Sequence, residues 1–193
     1  MQKPTLSPAA AATIAIHTQA PNGALVLIRA TNPSDAERLL ALYPKLSPQS
    51  LYLRFLRIID TPTLAQLIPY TDVDFAMHLG LVLLLEEEII GTARIIRCDK
   101  KHSSGELSCL LIDAYQRQGF GRLLLQHLLE QARAWGISEV FALVHPQNRA
   151  MLHLLSSLGY PTQICYEEGD YTVRLDCQLP ADIIRNPPKH AVR

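Results

Sequence analysis

The residues with the clearest chemical potential in this sequence lie in a short turn that contains two glycines. Gly119 and Gly121 are flanked by Arg117 and Arg122, between an apolar run of strand length and a run with helical spacing. The first N–H groups of a helix have no partner within the helix, and the peptide dipoles add partial positive charge there. Because glycine lacks a Cβ atom, a bulky anion can approach this main chain closely. The pattern indicates a phosphate site, and a plain loop with a helix N-cap is the alternative.

The elements around this turn alternate between strands and helices. A strand precedes it at residues 106–113, and the helix that follows ends at Trp135-Gly136, where glycine favours a left-handed cap. Hydrophobic patterning along the rest of the chain predicts a strand at 24–29, three short helices between 32 and 68, a hairpin at 75–85 and 89–97, a strand at 139–144, a helix at 147–158 and a hairpin at 164–166 and 171–177. This order predicts a mixed α/β (α+β) fold. Its sheet would have about seven mostly antiparallel strands, one parallel pair and helices on both faces.

Length and composition predict one domain. The chain has 193 residues, of which 48% are hydrophobic, which is enough for one core and short for two. Residues 1–23 carry prolines around an alanine run and are predicted to be a flexible arm. Residues 24–178 form the predicted domain, and residues 179–193, with two adjacent prolines, are predicted to be a tail.

Two segments resemble the GNAT superfamily of acyl-CoA-dependent N-acetyltransferases. Gln116, Gly119 and Gly121 match its Gln/Arg-x-x-Gly-x-Gly/Ala signature, and residues 148–152 (Asn-Arg-Ala-Met-Leu) with 158–160 (Leu-Gly-Tyr) resemble its motif B. The resemblance implies the GNAT fold, in which the parallel strand pair splays to admit acyl-CoA and the amides of the turn hold the pyrophosphate. The cofactor-binding residues that it implies are Leu110, Leu111, Ile112, Gln116, Arg117, Gln118, Gly119, Phe120, Gly121, Arg122, Asn148 and Met151.

Residues 46–55, 70–74 and 105–108 further resemble the catalytic domain of bacterial Pat-type protein lysine acetyltransferases. Within that resemblance Glu106 takes the place of the general base. It begins the strand that leads to the turn, and alternation places its side chain on the same face as Ser108 and Leu110. An ordinary exposed glutamate at a strand end is the alternative.

The resemblance implies acetyl transfer from acetyl-CoA to a primary amine, with a protein lysine as the leading acceptor. The amine would attack directly in a ternary complex, with Glu106 accepting its proton and backbone N–H groups near Leu110 to Ile112 orienting the thioester. Many members place a tyrosine seven residues after the motif B asparagine. Here that position is Leu155, so we assign no general acid. A small-amine acetyltransferase, with its acceptor pocket around residues 43–60 and 166–171, and a non-catalytic acetyl-CoA-sensing module remain alternatives.

Charge and cysteine content bear on other classes of function. The formal net charge is zero, with 18 basic and 18 acidic residues, which argues against nucleic-acid and membrane partners. The four cysteines lack metal-binding spacing, so we expect no metal. A turn at residues 102–105 would place Cys98 opposite Cys109, but free thiols of a cytoplasmic protein are the favoured interpretation. Cys109 should face away from Glu106. We expect a monomer or a homodimer.

Overall fold

An eight-stranded sheet runs through the computed structural model, which describes residues 6–98 and 103–178. Its strands are β1 (Ala15–Gln19), β2 (Leu25–Ala30), β3 (His78–Leu85), β4 (Glu88–Arg97), β5 (Ser104–Leu111), β6 (Glu139–Val144), β7 (Thr162–Glu167) and β8 (Asp170–Asp176). They lie in the order β1-β2-β3-β4-β5-β6-β8-β7, and the pair of β5 with β6 is parallel while the other neighbouring pairs are antiparallel. The predicted mixed sheet with one parallel pair is therefore confirmed.

Six α-helices cover the sheet in the described part of the chain. They are α1 (Pro8–Ala11), α2 (Asp35–Leu40), α3 (Pro48–Phe55), α4 (Leu64–Thr71), α5 (Phe120–Ala134) and α6 (Arg149–Ser156). Helix α3 begins after Ser47, whose hydroxyl accepts a hydrogen bond from the Ser50 N–H. Helix α4 begins after Thr63, which is its N-cap and forms a capping box with Gln66.

Alternating residues of β4 reach helices on opposite faces of the sheet. The guanidinium of Arg94 lies 4.3 Å from the ring centroid of Tyr70 in α4, whereas that of Arg97 lies 3.6 Å from the ring of Trp135 at the end of α5. Helix α5 packs against β3, β4 and β5 with its leucine-rich face fully buried. The arrangement with helices on both faces is as predicted.

Residues 6–23 are not the loosely held arm that the sequence predicts. Ala11 of α1 is fully buried, the Leu6 N–H donates to the Ala134 carbonyl at 2.9 Å, and β1 pairs along its whole length with β2. Strand β1 lies at the sheet edge and alternates between exposed and partly buried residues, so it lacks the apolar run that marks the inner strands. Strand β1 is therefore the eighth strand, beyond the seven that the sequence predicts. Residues 1–5 and the predicted tail, 179–193, lie outside the described residues.

The register of β4 and β5 separates Cys98 from Cys109. Cys109 lies opposite Ala93, and the Cys98 N–H donates to the Ser104 carbonyl at 3.1 Å. The prediction that the two cysteines face each other is wrong, because Arg97 pairs with Gly105, and this register places the partner of Cys109 five residues before the predicted Cys98, at Ala93. All four cysteines are free thiols. In the ranges that the structure describes, no helix has the length and apolar character needed to cross a membrane.

Candidate active site

Glu106 lies where β5 and β6 separate. The two strands pair from Ser104 opposite Glu139 to Glu106 opposite Phe141, and their pairing ends there. Short pairing of this kind leaves one edge of the second half of β5 without a strand neighbour. The carboxylate therefore stands at the branch point of the sheet, at the mouth of the gap between the two strands.

The backbone of β5 offers two N–H groups to this gap. The Ile112 N–H donates to the Ile90 carbonyl of β4 at 2.9 Å, and the register is continuous through Leu111 and Leu110. Because antiparallel bonding alternates along a strand, even-numbered residues of β5 direct their backbone toward β4. Leu110 and Ile112 are thus engaged there, contrary to the prediction that they orient a thioester. Cys109 and Leu111 direct their N–H groups into the gap.

A groove of about 800 Å³ fills the gap and extends to the glycine turn. Nine of the twelve predicted cofactor-binding residues line it: Leu110, Leu111, Gln116, Arg117, Gly119, Gly121, Arg122, Asn148 and Met151. The side chains of the other three do not line the groove. The side chains of Ile112 and Phe120 are buried in the core, and the amide of Gln118 donates to the Ala114 carbonyl at 2.7 Å.

The glycine turn presents unpaired N–H groups at the start of α5. Gly119 is the N-cap, with φ of +88°, and its carbonyl accepts the first intrahelical bond from the Leu123 N–H at 3.0 Å. The three N–H groups from Phe120 to Arg122 consequently have no acceptor within the helix. A Cβ atom at Gly121 would meet Leu154 at 3.5 Å, which is ordinary contact, so the missing side chain here leaves room over the main chain. The turn can accommodate an anion.

Gln116 positions this turn. Its side-chain amide donates to the Leu111 carbonyl at 3.1 Å, to the Ser50 hydroxyl at 3.2 Å and to the Asp113 carboxylate at 3.1 Å. Asp113 also accepts a hydrogen bond from the Ser47 N–H at 3.2 Å. Both side chains therefore join the turn to the end of β5 and to the start of α3, which forms one wall of the groove.

Arg122 and Asn148 frame the groove from its other wall. The guanidinium of Arg122 donates to the hydroxyl and the carbonyl of Ser157 at 2.8 and 2.6 Å, which joins α5 to the end of α6. The Asn148 side chain caps α6 by accepting from the Met151 N–H at 3.1 Å. Leu155, at the position where many members have tyrosine, is fully buried and faces away from the groove.

A second, smaller cavity of about 210 Å³ lies between β4, β5 and helices α2 to α4. It shares Arg54, Phe55, Glu106, Ser108 and Leu110 with the groove, and its polar lining is completed by Tyr43, Tyr70, Thr92 and Arg94. Of the segments predicted to form an acceptor pocket, residues 43–60 contribute Tyr43, Arg54 and Phe55 to this lining, whereas residues 166–171 line neither space. The sequence interpretation missed Arg94, although a charged residue inside an apolar strand was the available signal.

Two guanidinium groups dominate the charge of this cavity. Burial, and then the neighbouring Arg54, lower the pKa of Arg94 to about 10, and burial also lowers the pKa of Arg54. Burial raises the pKa of the Tyr43 hydroxyl. Both arginines remain protonated at neutral pH. Among the described residues neither has a carboxylate within 4.0 Å, and their cations lie over aromatic rings, Arg94 on Tyr70 and Arg54 on Phe55.

Cys109 lies on the opposite face of β5 from Glu106, as predicted by alternation, but it also borders the groove. Residues of both faces of β5 line the groove where β6 has diverged. Burial raises the pKa of its thiol to about 12, and Arg54 lowers it by less. A thiol in this state is not a nucleophile near neutral pH, since the thiolate is the reactive form. Within the described ranges, no three His, Cys, Asp or Glu side chains lie close enough together to hold a metal ion.

Comparison with known proteins agrees with this geometry. Residues 50–160 match the acetyltransferase (GNAT) family. An acetyltransferase of Pseudomonas aeruginosa is 30% identical over 148 residues, which cover 74% of this chain and 78% of that protein. Acetyltransferase Pat of Mycolicibacterium smegmatis is 30% identical over 146 residues, 75% of this chain but only 44% of that protein. The crystal structure of the GNAT domain of S. lividans PAT superposes with a TM-score of 0.79 at 27% identity, covering 84% of this chain and 96% of that one. The chain therefore belongs to the GNAT family of acetyltransferases.

Proposed function

We propose that this protein transfers the acetyl group of acetyl-CoA directly to a primary amine, with Glu106 as the general base. The observation that carries the proposal is the position of Glu106, which borders both the long groove and the smaller cavity at the branch point of β5 and β6. A thioester in the groove and an amine in the cavity would meet at this carboxylate.

The groove supports the placement of acetyl-CoA. Its volume of about 800 Å³ suits a large ligand. The unpaired N–H groups at the start of α5 would hold the pyrophosphate, while those of Cys109 and Leu111 would face the pantetheine arm and the thioester carbonyl. The remaining residues of the turn, with Asn148 and Met151, would line the path between them.

The reaction follows from the pKa values of its groups. A lysine-type amine with a pKa near 10.4 is protonated at pH 7.5, and removing the proton costs about 4 kcal/mol. Glu106 would accept this proton, directly or through a water molecule. The free amine then attacks the thioester carbon, a C–N bond forms, and a backbone N–H stabilises the oxyanion by about 3 kcal/mol. The C–S bond breaks, the electron pair leaves with sulfur, and the proton that the nitrogen loses as the amide forms passes to the thiolate, directly or through water. Because the conjugate thiol has a pKa near 8.5, its departure needs little acid assistance.

Two acceptor classes are supported by different observations. The relatives named Pat support a protein lysine as the acceptor, as the sequence resemblance implies. The small volume of the cavity, about 210 Å³, supports a small amine as the second candidate. We propose a cytoplasmic location for the reaction, and the four free thiols accord with a reducing compartment.

Glu106→Gln tests the proposal, because glutamine keeps the size of the side chain but cannot accept the proton. Turnover with acetyl-CoA and a panel of amines should fall by about 10² to 10⁴ at neutral pH and recover partly as the pH rises. Acetyl-CoA affinity should remain within about twofold of wild type, since the pyrophosphate site lies at the far end of β5.

Glu167→Gln, at an exposed strand position outside both cavities, is the matched control. Undiminished turnover in Glu106→Gln would assign the proton to another acceptor. Absence of turnover in the wild type with any amine, beside tight acetyl-CoA binding, would favour a sensing module.

A further inference from the structure

The small cavity beside Glu106 holds more positive charge than its own residues neutralise. Arg54 and Arg94 both line it, and Glu106 is the one carboxylate among its lining residues. Another arginine of this protein, which lies outside both cavities, has its charge compensated by a carboxylate. Arg29 makes a two-pronged bond to the fully buried Asp35, with nitrogen–oxygen distances of 2.7 and 2.6 Å. Arg94, which like Arg29 is partly buried, has no carboxylate within 4.0 Å among the residues that the structure describes.

An unpaired guanidinium in the interior is costly, and an anion of matching shape removes that cost. The planar fork of arginine fits a carboxylate with two parallel hydrogen bonds. The ring of Tyr70 covers one face of Arg94 without neutralising its charge or occupying its in-plane donors. The cavity therefore offers donors and charge to a carboxylate that enters it.

The register sets the positions of the two opposite charges. Glu106 lies opposite Ile96, so Arg94 is its diagonal neighbour two residues further along β4. Diagonal neighbours on one face of an antiparallel pair are about 7–8 Å apart. The cavity thus has a negative end, where the proposed reaction needs the amine, and a positive end a few bond lengths away.

We infer that the cavity binds a carboxylate carried by the acceptor, so that the preferred acceptors are amines with a carboxylate a few bonds from the nitrogen. The inference rests on the proposed function and specifies its acceptor. The carboxylate has two possible sources, a free amino acid or an acidic side chain beside a lysine in a protein.

A series of straight-chain ω-amino acids of three to six carbons, each compared with its own carboxamide, tests the charge requirement. In the wild type the best amino acid should have a KM at least about tenfold below that of its amide, as expected for charge-assisted hydrogen bonds. In Arg94→Gln this advantage should disappear, so that the ratio of the two KM values falls to about one. Arg94→Lys should restore part of it, and Arg133→Gln, on the exposed end of α5, should change nothing.

Two peptides distinguish the sources. They contain one lysine followed by either glutamate or glutamine, and a preference for the glutamate peptide that is lost in Arg94→Gln assigns the carboxylate to a protein acceptor. If the preference for a carboxylate, and its loss in Arg94→Gln, are found only with the free amino acids, the carboxylate belongs to a small-molecule acceptor. If Arg94→Gln does not fold, Arg54→Gln takes its place in the same comparison.

Equal KM values for carboxylates and amides in the wild type would overturn the inference, as would an equal loss for both in Arg94→Gln. Pentanoate, which has the carboxylate but no amine, separates this result from a failure of the proposed function. If the wild type turns over no amine but pentanoate still raises its melting temperature, and Arg94→Gln abolishes that effect, the anion subsite stands and the acetyl transfer does not.

Discussion

The two glycines of the cofactor turn should respond differently to the same substitution. Gly119 has φ of +88°, and a Cβ atom there would lie 2.6 Å from Cγ of Pro21, closer than real Cβ atoms come. A non-glycine residue in left-handed backbone costs about 1–3 kcal/mol, and overpacking adds a similar amount. At Gly121 the added Cβ has ordinary contact with Leu154 at 3.5 Å, and α-helical backbone suits alanine.

We therefore expect Gly119→Ala to destabilise the fold by about 3 kcal/mol and Gly121→Ala to change it by less than about 1 kcal/mol. For a chain of this size the first corresponds to a fall in melting temperature of about 6–12 °C. Gly121→Val, which adds bulk where the pyrophosphate would approach, should weaken acetyl-CoA binding at least tenfold, or about 1.4 kcal/mol. Urea unfolding and titration calorimetry on the folded variants supply the two readings.

Unfolding of Gly119→Ala at the wild-type urea midpoint would show that the turn accepts a side chain at Gly119 without strain. Unchanged affinity in a folded Gly121→Val would refute the placement of the pyrophosphate at the turn. Comparing alanine at both positions, and then valine at Gly121, distinguishes a glycine that the backbone requires from one that the ligand requires.

Three further predictions concern buried groups. Asp35→Asn should destabilise the protein by about 3 kcal/mol in urea, because it removes the charge that compensates Arg29 in the interior; a loss below about 1 kcal/mol would contradict this. Burial, then the charge of Arg94, lower the pKa of His78 to about 4. The unfolded chain therefore takes up a proton at His78 below pH 6.5, whereas the folded protein takes it up only near pH 4. About 3 kcal/mol of stability should be lost as the pH falls across that window, and His78→Gln should lose much less. Cys109→Ala should keep the kinetic pattern of a ternary complex, and a trapped acetyl group on Cys109 would show that the amine does not attack directly.

The parts of the fold that the sequence predicts are those with strong periodicity. The β3–β4 hairpin, the strand leading to the turn and helix α5 have continuous apolar runs or leucines at helical spacing, and their burial follows from that pattern. Strand β1 was missed because an edge strand needs no apolar face on its exposed side. Its pairing with β2 depends on backbone bonds, which residue types do not reveal.

The residues of the candidate site also differ in how far the sequence alone predicts them. Residues that act through the backbone of one continuous segment, from Gln116 to Arg122, are recognisable because their spacing is local. Arg94 and Tyr70 come together only through the packing of α4 on the sheet, and no local spacing encodes that contact. The direction of each backbone N–H depends on register, so local spacing does not show that Leu110 and Ile112 bond to β4 while the N–H of Leu111 faces the gap.

Helix α3 belongs to both ligand spaces at once. Its first turn is bonded to the cofactor turn through Asp113 and Gln116, and its last turn carries Arg54 and Phe55, which border both the groove and the cavity. In the proposed reaction, acetyl-CoA in the groove and an acceptor in the cavity would therefore both contact α3. Any effect that one of them has on the affinity for the other through this helix must be reciprocal and of equal size. Measuring acetyl-CoA affinity with and without the acceptor would then report on the cavity from the side of the groove.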